Sequence, residues 1–256
     1  MSNDPIQAHF EQAIERANTQ ASDPTITKPA GEFFARSHEL RYSYNFTWLG
    51  RPIIQYPQDV VAFQEIVFDV KPDVILETGI AHGGSLVLSA SLLCLLDIME
   101  GLDPRQSHRK VVGVDIEIRP HNRKALNEHP LRFKLELIQG SSIDSEIIKQ
   151  VRCHAGGAER VLVCLDSNHT HDHVLAELDA YADLVSIGSY CIVYDTVIED
   201  LSEGSFPDRP WDVGNNPKTA VHQWLKNHSE FEINKNIDNK LLISVAPHGF
   251  LKRLPQ

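Results

Sequence analysis

Five short runs rich in Val, Ile and Leu constrain this chain more than any other feature of its sequence. Each run is apolar throughout rather than alternating with polar residues, as strands buried on both faces require. Stretches with helical periodicity separate the runs, and this alternation predicts a parallel sheet with helices packed on both faces. The runs span residues 74–79, 110–117, 135–141, 160–167 and 189–196.

The end of the chain predicts two further strands. A helix is indicated at 217–228, because Pro217 suits a first helical position and apolar residues recur on one face. The stretches 230–237 and 241–254 follow as strands, and the polar residues 238–240 between them indicate a hairpin turn. The predicted fold is therefore α/β and Rossmann-like, with a seven-stranded, mostly parallel sheet, a reversed C-terminal strand and helices on both faces.

Two segments outside the sheet pattern have predicted roles. Residues 1–70 form an N-terminal extension packing on the core: a polar helix at 4–17, a Pro/Thr-rich link at 21–30 and an aromatic segment at 41–57. The aromatic segment is expected to cover one edge of the sheet, and lining a ligand mouth is the alternative. Residues 201–217 have no periodicity and many Gly, Pro, Asp and Asn, which is typical of a lid loop.

Composition excludes several classes of partner. The net charge of −11, with no Lys/Arg cluster longer than two, argues against nucleic acid. No stretch approaches the ~18 apolar residues that span a bilayer, and the first thirty residues lack an apolar leader, so we expect a cytoplasmic protein with no membrane partner. The four cysteines form no C-x-x-C pair, and three of them lie inside apolar runs, as expected of reduced core residues.

The turn after the first predicted strand, residues 77–85, is called the glycine turn, and it indicates a cofactor site formed by Glu77, Gly79, Gly83, Gly84 and Ser85. Glycines leave room for a ligand to approach the backbone, and free N–H groups at a helix start attract a carboxylate or phosphate. Gly79 and Gly83 are four apart, unlike the G-x-G-x-x-G fingerprint of dinucleotide sites. This spacing favours S-adenosylmethionine over NAD, and a purely structural tight turn is the alternative.

Polar residues at the ends of the next two strands extend this site. Asp115 ends the second strand, where its carboxylate can accept hydrogen bonds from ribose hydroxyls, and a solvated strand-end acid is the alternative. Ser141 and Ser142 close the third strand, where the adenine edge is expected. Residues 71–256 are therefore interpreted as an S-adenosylmethionine-dependent methyltransferase-like domain.

The ends of the fourth and fifth strands predict the reaction centre. Asp166 and Asp195 are expected at one mouth, and two carboxylates suit Mg²⁺. Such an ion could polarise a substrate hydroxyl while His169 accepts its proton, so His169 and Asp166 are the predicted catalytic residues. A loop histidine capping the next helix is the alternative for His169. A zinc site with His171 and His173 is disfavoured, because that i, i+2 pair points to different faces of a helix.

Three separated motifs resemble the cephalosporin hydroxylase / rhamnosyl O-methyltransferase family. They are NFTWLGRPIIQYPQDV, ILETGIAHGGSL and LDSNHTHDHVLAELDAYADLVSIGSYCIVYDT, and the resemblance covers roughly residues 40–200. It implies a methyltransferase fold that binds S-adenosylmethionine and Mg²⁺, acts on hydroxyls of sugars or natural products, and forms homo-oligomers. It also implies metal ligands at Asp166 and in a Glu-Asp pair after the fifth strand, where this chain has Tyr194 and Asp195.

The leading hypothesis is an S-adenosylmethionine-dependent O-methyltransferase acting on a hydroxyl of a sugar or secondary metabolite, with assistance from Mg²⁺. One rival is a nucleotide- or NAD-using enzyme on the same sheet. A second rival is a degenerate methyltransferase-fold binding protein without turnover, because the phenol of Tyr194 is a poor Mg²⁺ ligand when protonated. The sequence does not identify the acceptor molecule.

Overall fold

A seven-stranded sheet forms the centre of the computed structural model, which describes residues 4–255. Its strands are β3 (Val74–Thr78), β4 (Lys110–Asp115), β5 (Leu135–Gln139), β6 (Val161–Leu165), β7 (Tyr190–Val193), β8 (Phe231–Ile233) and β9 (Phe250–Arg253). The strand order is β5-β4-β3-β6-β7-β9-β8, and β9 is antiparallel to both of its neighbours. This topology confirms the predicted fold class, including the reversed strand.

Helices cover both faces of the sheet and bury two apolar layers. The helices are α1 (Pro5–Ala21), α2 (Pro24–Glu39), α3 (Pro57–Val70), α4 (Gly84–Met99), α5 (Pro120–Asn127), α6 (Ser145–Ala155), α7 (His171–Tyr181), α8 (Pro217–Trp224) and α9 (Lys235–Leu241). One layer contains side chains from α3, α4 and α9, and the other contains side chains from α6, α7 and α8. Among residues 4–255, no helix combines the length and apolar character needed to cross a membrane.

The predicted link at 21–30 is wrong, because α2 begins inside it. Asp23 caps this helix by accepting a hydrogen bond from the backbone N–H of Thr25 at 2.8 Å. Pro24 takes the first helical position, where the missing N–H of proline is no disadvantage. The residues that indicated a link therefore act as a helix start signal.

The aromatic segment packs against the core. Its short strands β1 (Phe46–Trp48) and β2 (Arg51–Ile53) form a hairpin that contacts α4. The Trp48 indole donates to Ser91 Oγ at 3.0 Å. Tyr56 is 1% exposed, stacks on Phe34 and contacts Ser37 Oγ through its hydroxyl at 2.7 Å. These contacts hold the hairpin and α2 beside the helix that follows the glycine turn.

The predicted turn at Asp238, Asn239 and Lys240 is also wrong, since these residues lie in α9. The side chain of Asn234 accepts from the backbone N–H of Asn236 and starts this helix immediately after β8. Polar residues that resemble a turn therefore continue a capped helix. The two flanking strands still pair antiparallel, as expected, so the error concerns the connection and not the pairing.

Candidate functional site

The residues predicted to form a site lie along one edge of the sheet. β3 pairs in register with both β4 and β6, so that Thr78 lies opposite Val114 and Leu165. The parallel strands therefore end together, and the segments that follow them meet at their carboxyl ends. Asp115 is the last residue of β4, and Asp166 directly follows β6, on the other side of β3.

The glycine turn serves contacts within the protein. Gly79 has a φ of 89°, and a Cβ there would lie 2.0 Å from the carbonyl oxygen of Asp166. Gly83 has a φ of 82°, and a Cβ there would lie 2.6 Å from the Leu126 side chain. These two glycines permit close approach of the chain to itself, which differs from the ligand clearance expected from the sequence.

At the start of α4, the Cα of Gly84 and the side chain of Ser85 also contact protein. A Cβ on Gly84 would lie 2.2 Å from the carbonyl oxygen of Pro52, so this glycine admits the β1–β2 hairpin. The Ser85 hydroxyl donates to the carboxyl of Glu77, which is only 4% exposed. Burial raises the pKa of Glu77 to about 8. Glu77 thus faces the interior and holds Ser85, in place of the direct cofactor contact expected from the sequence.

The raised pKa of Glu77 makes stability depend on pH. Folded Glu77 keeps its proton up to about pH 8, whereas the unfolded chain releases it near the usual value of 4.5. The free energy of unfolding therefore falls as pH rises between these values, by up to about 1.4 kcal/mol per unit. Glu77→Gln, which keeps an acceptor for Ser85, is expected to flatten this slope in urea unfolding at pH 5.5, 6.5 and 7.5.

The exposed residue Glu117 provides the matched control for this measurement. Glu117→Gln should retain the wild-type slope. Asp59, whose pKa is raised to about 7 by burial, adds a second contribution of the same sign up to that pH, so the slope should not vanish in Glu77→Gln. Equal slopes in wild type and Glu77→Gln would show that Glu77 is already ionised in the folded protein.

Asp115 anchors the glycine turn through its carboxylate. Oδ2 accepts from the backbone N–H groups of Ile80 at 2.8 Å and Ala81 at 3.2 Å, and Oδ1 accepts from Glu117 N–H at 3.0 Å. A carboxylate has about four lone-pair positions, so further acceptance from a ligand hydroxyl is compatible with these bonds. The structure thus connects Asp115 directly to the predicted cofactor turn.

Ser141 and Ser142 have different environments. Ser141 is partly exposed, whereas Ser142 is 4% exposed. The Ser142 hydroxyl lies 3.1 Å from His173 Nε2, and its carbonyl accepts from the Tyr181 hydroxyl. Ser142 therefore fastens the β5 end to α7 and does not present its side chain to a cleft, contrary to the sequence prediction.

Two exposed isoleucines stand beside these polar residues and were missed by the sequence analysis. Ile116, directly after Asp115, is 73% exposed, and Ile143, directly after Ser142, is 41% exposed. Large apolar side chains at this edge of the sheet offer a surface for a flat ring. In each case a large apolar residue directly follows a polar residue at a strand end, and this pattern could have identified the two isoleucines from the sequence.

Asp166, His169 and Asp195 come together, as the sequence predicted. Each offers one ligand atom, and these atoms all lie within 4.8 Å of one another. His169 Nε2 lies 3.2 Å from Asp195 Oδ2. His171 instead contacts Thr219 Oγ1 through Nδ1 at 2.8 Å, so it does not join the cluster. This geometry agrees with the sequence argument against a three-histidine zinc site.

The electrostatics of this cluster favour a bound cation. Burial raises the pKa of the half-buried Asp166 well above its usual value, and the negative charge of Asp195 raises it further. Two neighbouring carboxylates repel each other when both are ionised. A divalent cation between them would favour the ionised form of both.

Tyr194 directly precedes Asp195 in the chain, but its side chain is buried. Its side chain is 8% exposed and lines an internal cavity of about 10 Å³ together with Asp59 and Glu77. Burial raises the pKa of Tyr194 well above its usual value, so its phenol is neutral. Tyr194 therefore does not supply the carboxylate that the resemblance places at this position.

The loop at 201–216 lies over the cluster and reaches the N-terminal helices. Trp211 packs edge-to-face on His169 with ring centroids 4.6 Å apart, and Phe206 packs on His38 of α2 at 5.1 Å. Burial lowers the pKa of His38, while the negative charge of Asp195 opposes this shift. Sequence reasoning missed His38 because it lies far from the strand ends along the chain.

The family model and the relatives found by comparison with known proteins share one name, rhamnosyl O-methyltransferase. The family model for Rhamnosyl O-methyltransferase/CmcI matches residues 40–254. A rhamnosyl O-methyltransferase of Mycobacterium bovis is 28% identical over 211 residues, covering 81% of this chain and 78% of that protein. A protein of the same name from Mycobacterium leprae is 25% identical over 235 residues, covering 89% of this chain and 93% of its own length.

Solved structures show the same fold. A CmcI structure with Mg and SAM has a TM-score of 0.55 and 18% identity, covering 83% of this chain and 78% of that chain. A CmcI structure with SAH has a TM-score of 0.54 and 17% identity, covering 82% and 83%. With the family model matching most of its length, the chain belongs to the Rhamnosyl O-methyltransferase/CmcI family.

Proposed function

We propose that this protein is an S-adenosylmethionine-dependent O-methyltransferase that methylates a hydroxyl of a sugar or natural product. The observation that carries the proposal is the cluster of Asp166, His169 and Asp195 beside a glycine turn anchored by Asp115. The rhamnosyl O-methyltransferase relatives and the CmcI structure with Mg and SAM support the same activity.

The cofactor would lie along the glycine turn. Backbone N–H groups at the start of α4 attract the carboxylate of its amino-acid part, because a helix N-terminus carries partial positive charge. Asp115 would accept hydrogen bonds from the ribose hydroxyls. Ile116 and Ile143 would contact the two sides of the adenine ring, and Ser141 would lie at its edge.

The donor set fits a divalent cation such as Mg²⁺. Asp166 and Asp195 would hold the ion, and Mg²⁺ commonly needs only one or two carboxylates because it keeps several waters or substrate oxygens. When bound, the ion would polarise the acceptor hydroxyl and lower its pKa. The internal position of Tyr194 leaves two carboxylates to hold it.

The residues of this chain would do three things in catalysis. The turn and the cluster align the acceptor oxygen with the methyl carbon, which is the main contribution because the sulfonium already provides a good leaving group. His169 accepts the proton of the hydroxyl, and Asp195, 3.2 Å away, stabilises the imidazolium that forms. The loop at 201–216 excludes water from the centre.

Calorimetric titration separates this proposal from its rivals. S-adenosylhomocysteine should bind, and NAD should not; the reverse result would favour the nicotinamide-using enzyme. Binding of the cofactor without methyl transfer to any of a panel of glycosides, with Mg²⁺ present, would favour the degenerate binding protein. The oligomeric assembly implied by the resemblance remains a prediction for light scattering.

Asp115→Ala is expected to weaken S-adenosylhomocysteine binding about 10- to 100-fold in the same titration. The variant loses charge-assisted hydrogen bonds to the ribose, and it also releases the N–H groups of Ile80 and Ala81. Glu117→Ala, which removes a neighbouring exposed carboxylate, is the control and should change the affinity less than threefold. An unchanged affinity in Asp115→Ala would remove Asp115 from the cofactor site.

A further inference from the structure

The three tryptophans of the chain differ in the hydrogen bonding of their indole N–H groups. Trp48 donates to Ser91 at 3.0 Å, and Trp224 donates to Asp179 at 2.9 Å. The indole nitrogen of Trp211 is buried and has no hydrogen-bond partner among residues 4–255. Buried tryptophan N–H groups usually have a partner, because an unpaired buried donor costs free energy. Among these three tryptophans, Trp211 is therefore the one whose indole N–H has no hydrogen-bond partner in the described part of the chain.

The orientation of Trp211 is set by its own loop. The next residue, Asp212, accepts from the backbone N–H groups of Gly204 and Val213, both at 2.8 Å. The side chain of Asn216, which is fully buried at the start of α8, donates to the Asp212 carbonyl at 3.0 Å. These bonds tie the two arms of the loop together and join them to a helix. The backbone beside Trp211 is therefore fixed, and its ring rests against His169, with the ring centroids 4.6 Å apart.

Trp211 also lies at the reaction centre. Its ring packs on His169 at 4.6 Å, and the guanidinium of Arg209 lies 5.2 Å from its ring centre. His169 belongs to the cluster with Asp166 and Asp195, on the acceptor side of the centre in the proposed function. The Trp211 indole N–H therefore lies beside His169, the residue that takes the proton of the hydroxyl to be methylated. The molecule that carries this hydroxyl would fill the same region.

We propose that the Trp211 indole N–H donates a hydrogen bond to a second oxygen of the acceptor, close to the hydroxyl that is methylated. This inference rests on the proposed function and assigns an acceptor-binding residue to it. Pyranosides carry such neighbouring oxygens, and their C–H faces pack on aromatic rings. An alcohol with a single oxygen lacks the hydrogen-bond acceptor and loses this contact.

Nuclear magnetic resonance of the ¹⁵N-labelled protein tests the contact directly, because each tryptophan gives one indole N–H signal. The protein is saturated with S-adenosylhomocysteine and Mg²⁺ and titrated with methyl α-L-rhamnopyranoside or methyl α-D-glucopyranoside. The signal that disappears in Trp211→Phe should move to lower field with at least one sugar, while those of Trp48 and Trp224 stay. Cyclohexanol, which has one oxygen, should not move it.

Kinetics with the same sugars give a second measurement. Trp211→Phe keeps an aromatic ring against His169 and loses only the donor, so the KM for the sugar should rise about 5- to 10-fold. The kcat and the KM for S-adenosylmethionine should change less than twofold, and the Tm should stay at the wild-type value. A role confined to packing would instead change the Tm or the kcat.

The outcomes separate this inference from the proposed function. Failure of S-adenosylhomocysteine to bind the wild-type protein would overturn the function, and the inference with it. Normal binding, with a Trp211 signal that no sugar moves or that cyclohexanol moves equally, would overturn the inference alone. A sugar KM that is unchanged in Trp211→Phe would do the same.

Discussion

Replacement of His169 by glutamine is expected to lower kcat for methyl transfer by about 10²- to 10⁴-fold, the usual contribution of a proton-accepting side chain. Glutamine retains polarity and similar size but cannot take up the proton of the acceptor hydroxyl. The affinity for S-adenosylhomocysteine should change less than threefold, because His169 lies with Asp166 and Asp195 rather than on the glycine turn. Steady-state methyl-transfer kinetics measure kcat, and calorimetry measures the affinity for S-adenosylhomocysteine.

His222 provides the control, since it lies on α8 and contacts His248 rather than the cluster. His222→Gln should keep kcat within threefold of wild type. Asp166→Asn should lose activity as His169→Gln does, because it removes a carboxylate from the same cluster. If His169→Gln kept more than a tenth of the wild-type kcat, another group would have to take the proton of the substrate hydroxyl.

Gly79→Ala is expected to lower the free energy of unfolding by more than about 4 kcal/mol, which is exceptional for a single substitution. The left-handed backbone at this position costs about 1–2 kcal/mol for a residue with a Cβ. In addition, the Cβ would lie 2.0 Å from the carbonyl oxygen of Asp166, a backbone atom that cannot move without displacing the end of β6. Urea unfolding measures the difference.

Gly188→Ala is the matched control for this substitution. Gly188 has a φ of 81°, close to the 89° of Gly79, but a Cβ there would meet no atom within 4 Å. The decrease in the free energy of unfolding in Gly188→Ala should therefore be limited to the conformational cost of about 1–2 kcal/mol. Equal losses of stability in the two variants would show that the close contact between Gly79 and Asp166 relaxes at little cost in free energy.

Local sequence signals predicted the residues of the site better than the segments that connect the helices and strands. Asp166, His169 and Asp195 were expected together and lie together, because each follows a buried parallel strand whose end is set by the sheet. The link at 21–30 and the turn at 238–240 were wrong. Both contain residues that serve equally as turn formers and as helix caps, and only the neighbouring packing decides between the two.

The roles of Glu77 and Ser142 could not be predicted for a different reason. Their position near strand ends was right, but the direction of each side chain depends on partners distant in sequence. Glu77 lines a cavity with Asp59 and Tyr194, and Ser142 meets His173 of α7. Whether a polar side chain at a strand end faces a cleft or the interior is decided by the segment packed against it.

The sequence by itself determined the parallel sheet, the glycine turn and the acids at the strand ends, since these depend on local apolar pattern and on strand register. Only the tertiary structure decided what surrounds the reaction centre. His38 from α2 and Trp211 from the late loop reach it because long-range packing folds both segments over the same sheet edge. Local periodicity does not predict these contacts, because the free energy that stabilises them comes from apolar surfaces that are buried only when distant segments pack together.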